Sequence, residues 1–161
     1  MRRIVPRSLC LAGALALASA SGARAGDLTV FAAQGSPEAL WQPGFGATLG
    51  AGLLGLGAIE AEAARFAAEV EGGDMTSFSV SAMVAPAIGP LVPFAGVGVG
   101  VYRQSLGAAN TTDVVRSFAA GLKVNIGRVF VVRGEYRRLT LSGAVRIEMD
   151  QRLSVGAGIQ F

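Results

Sequence analysis

The chain has 161 residues, 52% of them apolar and only 16% charged, with 23 glycines and no histidine. A soluble domain carries about a quarter charged residues, so this chain either buries heavily or lies against lipid. The glycines are too aperiodic for collagen, the composition is too apolar for a disordered linker, and hydrolase chemistry that uses an imidazole base is excluded.

Residues 1–25 read as a cleaved secretory signal peptide: Arg2, Arg3 and Arg7 are the basic start, Leu9 to Ala18 the short apolar stretch, and Ala23-Arg24-Ala25 the small-x-small cleavage pattern. The apolar stretch is too short for a membrane helix, which needs about 20 residues. Cleavage removes Arg2, Arg3, Arg7 and Arg24 from 14 basic residues, leaving 10 against 11 acidic ones. The precursor's charge of +3 therefore gives no ground for a nucleic-acid partner. Cys10 leaves with the signal, and with it any disulfide. Arg7-Ser8-Leu9 before it is not the small-residue box of a lipoprotein.

From residue 26 onward the side chains alternate, the period of a strand with one apolar and one polar face. A short first strand over 28–34 sets Leu28, Val30 and Ala32 on one side. Over 43–53, Phe45, Ala47, Leu49 and Ala51 oppose Thr48 and four glycines. Residues 56–69 are ambiguous. Glu60 and Glu62 oppose Ile59, Ala61 and Ala63, while Ala61–Glu69 also has good helix propensity. The repeated hairpin pattern favours a strand. Over 75–86, Phe78, Val80, Ala82 and Val84 oppose Ser77, Ser79 and Ser81; over 93–104, Ala95, Val97, Val99 and Val101 oppose glycines, Tyr102 and Gln104. Residues 114–126 set Phe118, Ala120, Leu122, Val124 and Ile126 against Ser117, Gly121, Lys123 and Asn125. In 129–141, Phe130, Val132 and Tyr136 oppose Arg133, Glu135 and Arg137. The last stretch, 146–161, alternates Ile147, Met149, Leu153, Val155, Ala157, Ile159 and Phe161 with Arg146, Glu148, Asp150, Arg152, Ser154 and glycines, Gln151 being the exception.

Eight strands follow, with connections that alternate in character. Gln34–Gln42, Val70–Asp74, Ser105–Asp113 and Leu141–Val145 are polar and mostly longer; those at Leu54-Gly55, Gly89-Pro90 and Gly127-Arg128 are tight. The polar face carries Glu60, Glu62, Lys123, Arg133, Glu135, Arg137, Arg146, Glu148, Asp150 and Arg152, five charges of each sign. A balanced charged set inside and an apolar band outside suit a transmembrane barrel, and closure is compulsory because an open edge in hydrocarbon leaves backbone groups unpaired. The expected fold is all-β, an eight-stranded antiparallel up-and-down transmembrane β-barrel over 26–161. Phe45, Phe78, Phe118 and Tyr136 fall toward its loop end, Phe130 and Phe161 toward its turn end. Inward glycines leave room for the bulky arginines.

A helical hairpin over the uncharged stretch 79–102 is the rival, opposed by Pro86, Pro90, Pro93 and glycines at spacing two. Gly50-Ala51-Gly52-Leu53-Leu54-Gly55 satisfies the dinucleotide-binding pattern but lacks the strand-then-helix context it needs, so no cofactor is expected. Metal binding is not expected either, since histidine is absent and the only cysteine leaves with the signal.

The final octet, Ser154 to Phe161, has a polar Ser154, Gly156, an apolar Ile159 and a terminal aromatic Phe161. With Pro93-Phe94-Ala95-Gly96-Val97-Gly98-Val99-Gly100, it resembles the small porin-family or OmpA-like transmembrane barrels. The resemblance implies Sec export and insertion into a Gram-negative outer membrane by the barrel-assembly machinery, with periplasmic chaperones on the way. The partners are then outer-membrane lipids and lipopolysaccharide, the protein a monomer. Outer-membrane barrel enzymes resemble one another in using a histidine base, which this chain lacks. The leading expectation is a non-enzymatic structural or surface-exposed barrel with a lumen filled by paired charges. The alternatives are a narrow channel for ions or small solutes, and adhesion through loops carrying Trp41 or Asn110-Thr111-Thr112-Asp113.

Overall fold

The computed structural model describes residues 23–36, 42–53, 56–67, 73–106, 109–142 and 150–161. Each alternating stretch is a strand: β1 (Ala23–Ser36), β2 (Gln42–Leu53), β3 (Gly57–Ala67), β4 (Gly73–Val84), β5 (Leu91–Leu106), β6 (Ala109–Ile126), β7 (Phe130–Ser142) and β8 (Gln151–Gln160). Every strand pairs antiparallel with the next, and β8 returns to β1 from Asp27↔Gln160 to Ser36↔Gln151, closing the barrel. Closure satisfies the ladder groups that an open sheet would leave bare.

β3 resolves the ambiguity of 56–69 in favour of the sheet. Its neighbours on both sides supply ladder partners, Thr48↔Glu62 on β2 and Glu62↔Ser79 on β4, and tertiary pairing overrides a modest helix propensity. The uncharged stretch 79–102 holds the end of β4, the 85–90 turn and most of β5. Gly89 in that turn and Gly127 between β6 and β7 have positive φ (62° and 67°), which glycine adopts without a Cβ penalty.

Three boundaries differ from the sequence expectation by more than two residues. β1 already begins at Ala23 and pairs Arg24↔Gly52 across an irregularity before Gly26. The expected Ser105–Asp113 connection is ladder instead: β5 and β6 pair through Tyr102↔Asp113 and Gln104↔Thr111 to Leu106↔Ala109. Alternation simply continues there, with Tyr102 and Gln104 still buried and Arg103 exposed, and the β-branched Thr111 and Thr112 suit a strand. β8 starts at Gln151, although the Leu139 amide still donates to the Asp150 carbonyl (2.8 Å). Trp41 and the other residues of 37–41, 68–72 and 143–149 lie outside the described residues.

The polarity is the inverse of a soluble barrel. Outward side chains are large and apolar: Phe45, Val97, Val99 and Val155 are each more than 60% exposed. Phe78, Phe118, Phe130, Tyr136 and Phe161 also face out. An apolar surface this continuous is not left in water by a soluble monomer. Inside, Phe31, Phe66, Met75, Tyr102 and Val115 form one apolar cluster, and Met83, Phe94 and Ala119 a second. The Tyr102 hydroxyl donates to the Met75 sulfur (2.7 Å), so the phenol is buried with a partner.

The inward glycines make room for rings more than for arginines, which corrects the expectation. A Cβ on Gly44 would run into Phe66, on Gly46 into Phe31, and on Gly121 into Phe94. The rings in turn lie against cations: Arg133 sits 4.5 Å from the Phe94 centroid, and Arg152 sits 5.2 Å from that of Phe31. Glycine, ring and guanidinium stack from wall to axis.

Candidate functional site

The eight-strand interior is only wide enough for side chains to fill, and here charged ones fill its middle. β7 supplies Arg133, Glu135 and Arg137 by alternation, β8 adds Arg152, and β3, on the opposite wall, sends Glu60 and Glu62 inward. All six are 4% exposed or less. Charges so buried survive only when paired and hydrogen-bonded.

The pairing crosses the lumen. Arg133 grips Glu60 with both Nη atoms, the Nη2–Oε1 bond being 2.9 Å, and also bonds Glu135. Arg152 grips Glu62 with two bonds of 2.6 Å. Arg137 donates through Nε to Glu135 Oε1 (2.8 Å), reaches Glu62 at 3.2 Å, and donates to Ser79 Oγ (3.3 Å). Glu135 is the hub, since Arg152 Nη2 also donates to it at 3.0 Å. Fork-to-fork arginine–carboxylate bonds are the strongest and most directional of the charge-assisted kind, and these tie β7 and β8 to β3.

Lys123 on β6 pairs with Asp27 on β1 at 2.5 Å and lies 3.8 Å from Glu60. This pair lies toward the turn end, in a vestibule of about 220 Å³ that Asn125 and Gln160 also line. Asp27 escapes a strand begun at residue 28. One more step of alternation back from the buried Thr29 would have included it. The ion-paired lumen charges are thus four carboxylates (Asp27, Glu60, Glu62, Glu135) against Lys123, Arg133, Arg137 and Arg152, while Asp113, opposite Tyr102 on the inward face of β6, is half-buried nearer the loop end and pairs with none of them. Asp150 does not join them. It precedes β8, is exposed, and among the described residues its carboxylate accepts only from the neighbouring Gln151 side-chain amide (3.4 Å). Alternation is no guide there because the ladder has not yet begun. Arg146 and Glu148 lie outside the described residues.

The outer face carries a few charges, all toward the loop end. Arg65 and Asp74 pair at 2.8 Å with both side chains exposed. Arg116 on β6 and Arg138 on β7 point outward, and no described residue bonds either. Arg138 lies eight residues up β7 from Phe130, and Arg116 ten residues up β6 from Ile126. With about 3.4 Å per residue and a tilt near 40° these are about 21 and 26 Å of height. A cation on the lipid face costs about 2–4 kcal/mol at the bilayer midplane but about 0–1 at the interface. A band whose upper edge lies near these arginines is cheap, and the exposed Val114 and Val101 extend it one outward row past Arg116.

No protein-family profile matches the chain, and no curated protein is similar to it in sequence. Solved structures share its fold. The crystal structure of neisserial surface protein A superposes with a TM-score of 0.63 at 15% identity, over 87% of this chain and 98% of that one. The N-terminal β-barrel domain of Pseudomonas aeruginosa OprF gives 0.63 at 15% identity, over 85% and 97%. Ail, the attachment invasion locus protein of Yersinia pestis, gives 0.52 at 17%, over 85% and 98%. The chain has the closed eight-strand architecture of small outer-membrane barrels.

Proposed function

We propose that the chain is an integral outer-membrane β-barrel, structural or surface-exposed and non-enzymatic, with a lumen closed by its own ion pairs. The observation that carries this reading is the inverted polarity: an apolar exterior around three arginines and three glutamates that pair across the axis. Apolar clusters containing Phe31 and Phe66, and Met83 and Phe94, add side chains to the same interior. The likeness in fold to outer-membrane barrels adds support. In this reading residues 1–25 direct Sec export and are removed, the protein is a monomer, and it lies among outer-membrane lipids and lipopolysaccharide. The barrel-assembly machinery then reads Ser154, Gly156, Ile159 and Phe161. Of these, Ser154 and Gly156 face inward while Ile159 and Phe161 present apolar groups outside.

Two measurements test it. On a gel the unboiled protein, recovered from the outer-membrane fraction, migrates faster than the boiled one. In planar bilayers it gives no reproducible open level. Recovery in the soluble fraction overturns the membrane assignment, and steady unitary conductance overturns the closed lumen in favour of a narrow channel.

A further inference from the structure

The outward arginines sit at one border of a groove. On the exterior, Phe118 of β6 is paired with Val97 on one side and Arg138 on the other, and Arg116 with Val99 and Thr140. Two adjacent lateral rows therefore each run from valine into arginine. Arg116 and Arg138 are diagonal neighbours, about 7–8 Å apart in such a ladder. The groove beside them has a volume of about 590 Å³, with Val80, Val97, Val99 and Phe118 among its walls.

We propose that this groove binds a phosphorylated glycolipid of the outer leaflet, with its phosphate held between Arg116 and Arg138 and its acyl chains against the valines and Phe118. The assignment rests on the membrane reading above. Three observations select the occupant. Guanidinium groups match phosphate oxygens two at a time, and no described carboxylate competes for this pair. The two cations stand near the loop-side end of the apolar band, which on β6 runs one outward position past Arg116 to Val114, paired with Val101, close to the level of outer-leaflet head groups. The groove runs laterally from Ile59 on β3 to Thr140 on β7, a width that suits several acyl chains better than one.

The test titrates the protein, extracted from outer membranes into zwitterionic detergent, with deep-rough lipopolysaccharide and measures lipid bound per barrel. Parallel titrations use the dephosphorylated glycolipid and phosphatidylglycerol. Arg116→Gln and Arg138→Gln each raise the apparent Kd about ten-fold, the usual worth of a hydrogen bond to a charged group. Arg128→Gln, which removes an exposed cation from the opposite, turn end, leaves it unchanged. Val99→Trp fills the groove, keeps every charge, and also weakens binding, so the proposal does not depend on the charge variants folding. Dephosphorylated glycolipid loses the arginine-dependent part. Binding by R116Q/R138Q within about two-fold of the parent overturns the site, as does phosphatidylglycerol that competes equally well. A heat-shifted barrel indifferent to both arginines sinks this site alone. A protein with no heat shift sinks the membrane reading with it.

Discussion

Replacing Glu135 by Met takes one carboxylate from a point where Arg133, Arg137 and Arg152 converge. The ion-paired lumen set changes from four against four to four cations against three anions. The surplus charge is not near water, because Arg137 and Arg152 are each 1% exposed. Removing one partner of a buried ion pair costs about 3–5 kcal/mol, and a hub with three partners belongs in the upper half of that range. With a urea slope of about 1–3 kcal/mol per molar, the unfolding midpoint falls by one to several molar. The assay is equilibrium urea unfolding in lipid vesicles, followed by circular dichroism and the gel shift. Asp74→Asn, which breaks the exposed pair with Arg65, is the control and costs about 0–1 kcal/mol. Adding Arg137→Met to Glu135→Met restores the balance and recovers part of the loss, since a buried ion pair replaced whole by apolar groups is often neutral. A Glu135→Met loss no larger than that of Asp74→Asn refutes the paired-lumen argument. So does a double variant less stable than the single.

Further variants probe other parts of the barrel. Gly46→Ala puts a Cβ against the Phe31 ring and the Ala63 carbonyl, both at 2.5 Å; overpacking costs about 1–3 kcal/mol, read as a lower urea midpoint, and an unchanged midpoint counts against the glycine–ring argument. Glu62→Ser with Arg137→Ser removes two groups from the lumen layer without changing net charge, and planar bilayers then show openings absent from the parent. Lys123→Met disrupts the turn-end pair with Asp27 and a longer 3.8 Å contact with Glu60 but leaves the arginine–glutamate bonds in place, so conductance stays closed while stability falls by less than for Glu135→Met. Deleting Phe161 lowers the amount reaching the outer membrane but leaves refolding into detergent intact, measured by fractionation and by gel shift.

Most of the architecture was legible because a strand's side-chain period is two, and a one-residue slip of β7 would turn the buried Arg133 and Arg137 to the outer face. That is why β3 could be assigned against its helix propensity, with Glu60 and Glu62 sharing a face. Partners across the lumen were not legible. Nothing along the chain says that Arg133 meets Glu60, or that Glu135 serves three guanidiniums, since these contacts depend on how far the sheet is staggered at closure. Asp27 was missed because Gly26 gives no polarity cue at the start of β1. Asp150 was included because alternation cannot report where a ladder starts. The β5–β6 junction was read as a loop from its Asn, Thr and Asp content, which ladder pairing overrode.

The length of β5 and β6 reaches beyond the barrel itself. They have 16 and 18 residues and are joined through residues 107 and 108 alone, where about ten tilted residues already cross a bilayer. In the proposed membrane setting the surplus stands clear of the lipid as a hydrogen-bonded ribbon, with Arg103, Thr111 and Thr112 at set spacings. On that reading whatever meets the loop end touches a stiff blade, one that cannot take an inserted residue without slipping the pairs beneath it.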